Sequence, residues 1–297
     1  MYFLSDVDKK KLLGKILPSS RSAGVSQELR GWNWNDPPLK SAYEDRIPMY
    51  SVCSKYCPTS RDVFLSRVLK AQPKMNEKVV QGAALHRVVS TAINAFLDGR
   101  EGDFDSSYDG VLRYAGAAQL PDGVRDKARK VWEFTVANCS NEVRNRASEQ
   151  PHASRRDILA TALPFLVEHK VTGELLGLSG LLSVDCYDYL RGVVFDLKFS
   201  QEEKDWYRLA PTGYAIVLES VYEVPVDVGC AVYAWLQGGE LRLHRDLFFI
   251  NDDLRSWWVE ERDEKARIVA QRREPSIASE CHDDCIYWEV CHGETES

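Results

Sequence analysis

The chain has 297 residues, 44% of them hydrophobic and 28% charged, with a formal net charge of −7. That is enough for one large domain or two small ones. No apolar run reaches the roughly 18–20 residues of a membrane helix, so no membrane partner is expected. The acidic balance argues against broad coating of nucleic acid but leaves room for a local basic groove. Apolar Met1 to Leu4 precede the basic Lys9, Lys10 and Lys11, the reverse of a secretory signal, which points to a cytoplasmic location.

Residues 1–50 read as a short helix followed by irregular chain, because Trp32-Asn33-Trp34-Asn35-Asp36-Pro37-Pro38 cannot continue a helix. A short helix is expected over 60–71. A longer one covers 78–98, with Val79, Ala83, His86, Val89, Ile93 and Phe96 at helical spacing and Gly99 closing it. Another covers 122–148, with Val124, Ala128, Val131, Trp132 and Thr135 on one stripe. The pattern then changes to three strands, Ala162 to Val171, Leu176 to Tyr187 and Arg191 to Phe199. A helix over 201–222 follows. Val228 to Gln237 and Glu240 to Ile250 form a hairpin across Gly238-Gly239, and a charged helix covers 252–272. This order predicts an α/β core with a mixed sheet and a helical lobe from the first half.

Asp185 and the run Val193-Val194-Phe195-Asp196-Leu197-Lys198 hold the densest chemistry. Period-two geometry puts Asp196 and Lys198 on one face of a strand, where they can meet Asp185 on its neighbour. Two converging carboxylates suit Mg²⁺ or Mn²⁺. An isolated Asp-x-Lys is usually a half-exposed strand face. Here the apolar run before Asp196 marks a buried strand, where an unused charge pair is costly. His86 on its apolar helix is, by itself, more often a core residue than a ligand. Basic clusters at Arg144, Arg146, Arg155 and Arg156, and at Arg262, Lys265, Arg267, Arg272 and Arg273, read first as solvated helix faces. Trp206-Tyr207-Arg208 is either a stacking platform for an unpaired strand or core.

Of eight cysteines, Cys139, Cys186 and Cys230 lie in helical or strand-like surroundings and read as buried small hydrophobes. Cys281-x3-Cys285-x5-Cys291 reads as a zinc or iron–sulfur site, with Cys57 or Cys53 as fourth ligand. A fourth thiolate so far away in sequence would staple a long loop.

Taken together, Gly82-x3-His86, Asp185, Asp196-x-Lys198 and a helix with Tyr214 resemble the RecB-like branch of the PD-(D/E)xK nucleases. One cysteine before that set and three after it are similar to its iron–sulfur members. The opening Met-Tyr-Phe-Leu-Ser, Glu28-Leu29-Arg30-Gly31-Trp32-Asn33-Trp34 and Gly213-Tyr214-Ala215-Ile216-Val217-Leu218-Glu219 resemble the archaeal Csa-one subgroup of the CRISPR-associated Cas-four family, over nearly the whole chain. The resemblance implies a restriction-endonuclease-like mixed-sheet core with an N-terminal helical lobe and a cluster-stapled tail. It divides one compact unit into an N-terminal segment (1–50), a helical lobe (51–150), a nuclease core (151–275) and an iron–sulfur segment (276–297). It implies His86, Asp185, Asp196 and the Leu197 carbonyl as ligands to Mn²⁺ or Mg²⁺, Lys198 as the catalytic lysine and Tyr214 as the last motif residue. Cys57, Cys281, Cys285 and Cys291 would hold a [4Fe–4S] cluster. The implied activity is trimming of single-stranded DNA ends beside the CRISPR integrase proteins of spacer acquisition; the alternative is a catalytically weak DNA-binding adaptor of that complex. Two positions depart from the pattern: Ala210 stands where the family has glutamine, and Leu182-Ser183 where it has glycine.

Overall fold

The computed structural model describes residues 1–100, 104–114, 123–282 and 284–293. The start of the expected helix at residue 122 and the last four residues of the expected tail segment lie outside these. Ser5 and Asp8 form a capping box that starts α1 (Asp6–Lys11), which continues through a π-helical turn into α2 (Leu17–Ala23). Short helices α3 (Met49–Cys53) and α4 (Arg61–Arg67) follow irregular chain. The Asn76 side chain caps α5 (Glu77–Leu97). Then come α6 (Phe104–Tyr114), α7 (Val124–Glu149) and α8 (Arg155–Ala162), the last capped by Ser154.

The second half builds one five-stranded mixed sheet in the order β1 (Phe165–Val171), β2 (Leu182–Asp188), β3 (Val193–Lys198), β4 (Val228–Gln237), β5 (Glu240–Phe249). Only β3 and β4 run parallel, and α9 (Leu209–Tyr222) is the crossover between them. Gly238 and Gly239, at φ of 60° and 81°, supply the left-handed turn that joins β4 to β5. The chain continues through α10 (Asp252–Ala270) to α11 (Trp288–His292). One face of the sheet packs on the N-terminal helix, α5 and α7; the other packs on α3, α9 and α10. The protein is therefore α/β with helices on both faces of the sheet. No described helix is long and apolar enough to cross a membrane.

Several expected elements are shorter or differently made. The helix expected over 201–222 begins as a 3-10 turn at Asp205–Arg208 and is α-helical only from Leu209. The strand expected from Ala162 starts at Phe165, because Ser154 and Asp157 initiate a helix that runs to Ala162. The strand expected from Leu176 starts at Leu182, after a 3-10 turn at Glu174–Leu176. On α5 the buried residues are Ala84, Leu85, Val88, Val89, Ser90, Ala92, Ile93 and Ala95, which keeps Val89 and Ile93 of the expected stripe but turns its first half one position round. Val79 is exposed, and Ala83 with His86 lines a cleft instead.

Two arginines of the second half anchor the N-terminal segment. Glu219 is fully buried in α9 and accepts hydrogen bonds from Arg30, from Arg255 and from the amides of Gly31 and Val226. Arg30 also reaches Asp227. Gly31 sits so close to α9 that a Cβ there would lie 2.0 Å from the Ile216 carbonyl oxygen. Arg262 donates to the carbonyls of Pro38 and Leu39, and Lys265 to those of Val52 and Ser54. Both are buried, so they are not part of a solvated basic face. Arg262 pairs in addition with Asp263 and Lys265 with Glu261, so both cations are fully engaged within the protein. Arg255→Met should destabilise the protein by about 3–5 kcal/mol, because Glu219 stays buried after losing two of its five hydrogen bonds. Chemical denaturation of the variant checks this; a midpoint equal to wild type would make the network dispensable.

Candidate functional site

The sheet opens where the sequence concentrates its carboxylates. Strands β2 and β3 pair over Cys186–Phe195, Tyr187–Val194 and Asp188–Val193. Beyond that point β2 pairs only with β1, and β3 only with β4. Asp185 lies at the fork. Its Oδ2 accepts the Leu197 amide at 2.9 Å, and His86 Nε2 of α5 stands 2.8 Å from the same oxygen. Leu197 thus enters the site through its backbone N–H. Asp196 is 5% exposed and points to the α9 face with Lys198, whose Nζ is 2.8 Å from Asp196 Oδ2. Apart from that ion pair, the oxygen has no hydrogen-bond partner among the described residues. Tyr214 on α9 is close enough that both aspartates, after burial, push its hydroxyl well up. Ala210, in the glutamine position, is buried in the core. A cleft of about 280 Å³ reaches the site and is lined by Tyr56, Gly82, His86, Leu197, Lys198 and Tyr207 among others.

One carboxylate was not foreseen. Glu168 of β1 stands opposite Asp185, with Oε1 3.4 Å from His86 Nδ1. Ser183, which occupies the family's glycine position, donates to Glu168 Oε2 at 2.7 Å. Glu168 has a φ of 50°, a left-handed conformation that a non-glycine residue adopts at a cost. The signal was present in sequence: Glu168-His169-Lys170 interrupts the apolar alternation of its strand.

Charge is crowded here. Burial raises the Asp196 carboxyl to about 6; Lys198 works against it, while Asp185 adds to the rise. Burial works to lower the Lys198 ammonium, but Asp196 and Asp185 outweigh it and hold it up. Burial likewise opposes charge on His86, yet Asp185 and Glu168 raise the imidazole to about 10. Hydrogen bonds from His86 and Ser183 overcome burial at Glu168 and hold it at about 2. Asp196 Oδ2, buried and met by the Lys198 ammonium, the Asp185 carboxylate and the His86 ring nitrogen are donors of the kind a hard divalent cation takes. Among the described residues, no three His, Cys, Asp or Glu side chains stand as a cage for a single ion.

The four expected cluster cysteines lie within electrostatic range of one another. Burial raises the Cys281 thiol, and Cys57 and Cys291 add to the rise. Cys285 is raised by burial and then by Cys281, Cys57 and Cys291. Cys281 Sγ is 3.4 Å from His292 Nε2. Sulfur donors are the chemistry that an iron–sulfur cluster or zinc takes, although among the described residues no three of these side chains stand as a cage for one ion. Cys53 is elsewhere: it is buried near Lys265, Asp196 and Lys198, and burial pushes its thiol up to about 12. The tail that carries the last three cysteines docks on α4 and α10, with Cys285 and Cys291 against Phe64, Leu65, Ile268 and Tyr287.

Fold and site together define an α/β protein with a histidine–carboxylate–lysine cluster at a fork in its sheet. The sequence model of the CRISPR-associated exonuclease Csa1 family matches residues 1–295, and the chain belongs to that family. It is 30% identical over 275 residues to the CRISPR-associated exonuclease Csa1 of Saccharolobus solfataricus, covering 90% of this chain and 92% of that one. It is 28% identical over 281 residues to the protein of the same name from Thermoproteus tenax, covering 95% and 96%.

The ion pairs make stability depend on pH in the metal-free protein. His86 binds its proton more tightly when folded, so its contribution is complete below its ordinary 6.5 and is lost as pH rises toward 10. Glu168 behaves oppositely: its contribution is complete above its ordinary 4.5 and is lost as pH falls toward 2. With EDTA present, His86→Gln should flatten the alkaline limb of the urea midpoint against pH, and Glu168→Gln the acid limb. Limbs parallel to wild type in both variants would contradict these ion pairs. If these cysteines hold an iron–sulfur cluster, Cys285→Ala bleaches the protein and lowers its melting temperature, because the staple is lost. Colour and iron that survive this change but vanish in Cys53→Ala would overturn the assignment.

Proposed function

We propose that the protein is a divalent-metal-dependent DNA nuclease with a RecB-like, restriction-endonuclease-like core, pinned by a [4Fe–4S] cluster on Cys57, Cys281, Cys285 and Cys291. Its substrate is the single-stranded end of a precursor spacer, trimmed in company with the CRISPR integrase proteins. The observation that carries this reading is the meeting of His86, Asp185, Asp196 and Lys198 where β2 and β3 part. Asp196 Oδ2 is buried with the Lys198 ammonium against it at 2.8 Å, a carboxylate kept charged at the point where the sheet opens. The exonuclease name of the family and of both relatives supports the same activity.

His86, Asp185 and Asp196 would hold Mn²⁺ or Mg²⁺, with the Leu197 carbonyl a further ligand. A cation bound there supplies a water of lowered pKa and neutralises charge growing on the scissile phosphate. Lys198, kept protonated by Asp196, donates to the attacking water or to a phosphoryl oxygen as charge builds. Glu168 receives the other ring nitrogen of His86 and so fixes the orientation of the imidazole. Tyr214 borders both aspartates from α9 and shields them from water.

Asp185→Asn and Asp196→Asn should each abolish cleavage in the anaerobically purified protein with Mn²⁺, with iron content and fold unchanged. Lys198→Ala should keep Mn²⁺ affinity and most affinity for single-stranded DNA, while the cleavage rate falls by roughly 10²–10³. Lys198→Arg should rescue little, because the guanidinium lacks the compact point geometry. A wild-type protein that binds DNA but does not cut it would favour the adaptor reading, which the buried Ala210 in the glutamine position supports. An unchanged rate in Lys198→Ala would reduce that lysine to a strand-face residue.

A further inference from the structure

The cleft has an aromatic wall that the chemistry of phosphodiester hydrolysis does not use. Tyr56 lines the cleft, yet it is 48% exposed. A large aromatic left this open is ordinarily free to move. Here it is held on three sides. Its hydroxyl is 2.7 Å from the Tyr207 hydroxyl. Trp206 meets it edge-to-face at 4.9 Å, and His282 does so at 5.7 Å. Tyr207 is itself buried, with the Lys198 ammonium 5.3 Å from its ring centre. Tyr56 is therefore positioned against the same residue that touches the candidate catalytic lysine. The Lys204 ammonium lies 5.0 Å from the centre of the Tyr56 ring. Across the cleft, Gly82 presents no side chain, and a Cβ built there would meet nothing within 4 Å.

A held, half-exposed ring with a cation over one face, in a cleft where Gly82 leaves room, is the chemistry that receives an unpaired nucleobase and its phosphate. A base in a duplex is stacked on both sides and has no face to offer. Resting on the nuclease reading above, we propose that Tyr56 is the seat on which one unpaired base beside the scissile phosphate stacks, so that this residue selects single-stranded over paired substrate. Trp206 and Tyr207 are positioning residues that hold the ring. This divides the Trp206-Tyr207-Arg208 segment: Tyr207 is core, and the ring that faces the strand comes from Tyr56.

The test is equilibrium binding in EDTA, where no cleavage is expected, using a fluorescein-labelled oligo-dT strand with a single abasic residue moved along it. In the wild-type protein one position should weaken binding about tenfold, within the range for loss of one base–aromatic stack, and its neighbours much less. Tyr56→Leu should bind the intact strand about tenfold more weakly and lose that position dependence. Tyr56→Trp should keep both. The scan on the wild-type protein stands without any variant, and iron content with melting temperature shows whether Tyr56→Leu is folded. A flat abasic scan in the wild type, or a folded Tyr56→Leu that keeps the position-specific loss, overturns the seat. Cleavage with Mn²⁺ beside a flat scan sinks the seat alone. A position-specific loss without cleavage supports the seat and sinks the nuclease reading.

Discussion

Asp196 is a carboxylate buried on a central strand, and much of the structure follows from keeping it there. Placing it in a dry interior is expensive, and Lys198 two residues on offsets only part of the cost. The strand cannot relieve the strain by turning over, because Val193, Val194, Phe195 and Leu197 are all buried around it. The fork between β2 and β3 frees the Leu197 amide, and Asp185 takes it up at 2.9 Å. The same Asp185 oxygen meets His86, which α5 brings across the opening. A helix of the first half and two consecutive strands of the second are thus tied together by acidic groups that none of them could bury alone.

A second charged network does the opposite job. Glu219, Arg30 and Arg255 are buried with their hydrogen bonds made, so the cluster fixes geometry and offers nothing to a ligand. It locks residues 30–31 onto α9, and α9 carries Tyr214 and packs against the strands that present Asp185 and Asp196. Arg262 and Lys265 extend the lock along α10 to the carbonyls before Cys57. One charged cluster is saturated with hydrogen bonds, whereas in the other Asp196 Oδ2 meets the Lys198 ammonium beside an open cleft. That contrast separates scaffold from candidate site more sharply than charge density does.

Most of the sheet was legible in sequence, because its strands are apolar, short and bounded by turn residues. The hairpin at Gly238-Gly239 and the pairing of Asp196 with Lys198 across one face follow from period two alone. What was not legible depends on contacts between elements. The first half of the α5 stripe was read one position off because Ala83-Ala84-Leu85 and Val88-Val89 offer two overlapping apolar faces, and only packing selects between them. The basic run on α10 looked solvated because the carbonyls that Arg262 and Lys265 serve lie in the first 54 residues. Glu168 was missed because a charged residue inside a strand ordinarily points to water. The sequence could not show that it faces Asp185 or that its backbone takes a left-handed turn. Tyr56 gave no signal of its own in sequence; its place in the cleft depends on Tyr207, which in turn borders Lys198.

The account rests on His86, Asp185 and Asp196 being a cation site rather than a set of internal ion pairs. Titrating Mn²⁺ into the anaerobic protein, with free Mn²⁺ followed by electron paramagnetic resonance, addresses that without any substrate. It predicts one tight site per chain, lost in His86→Gln and unaffected by Arg144→Ala on the exposed face of α7. Absence of a tight site in the wild type, or one that persists in His86→Gln, would contradict it.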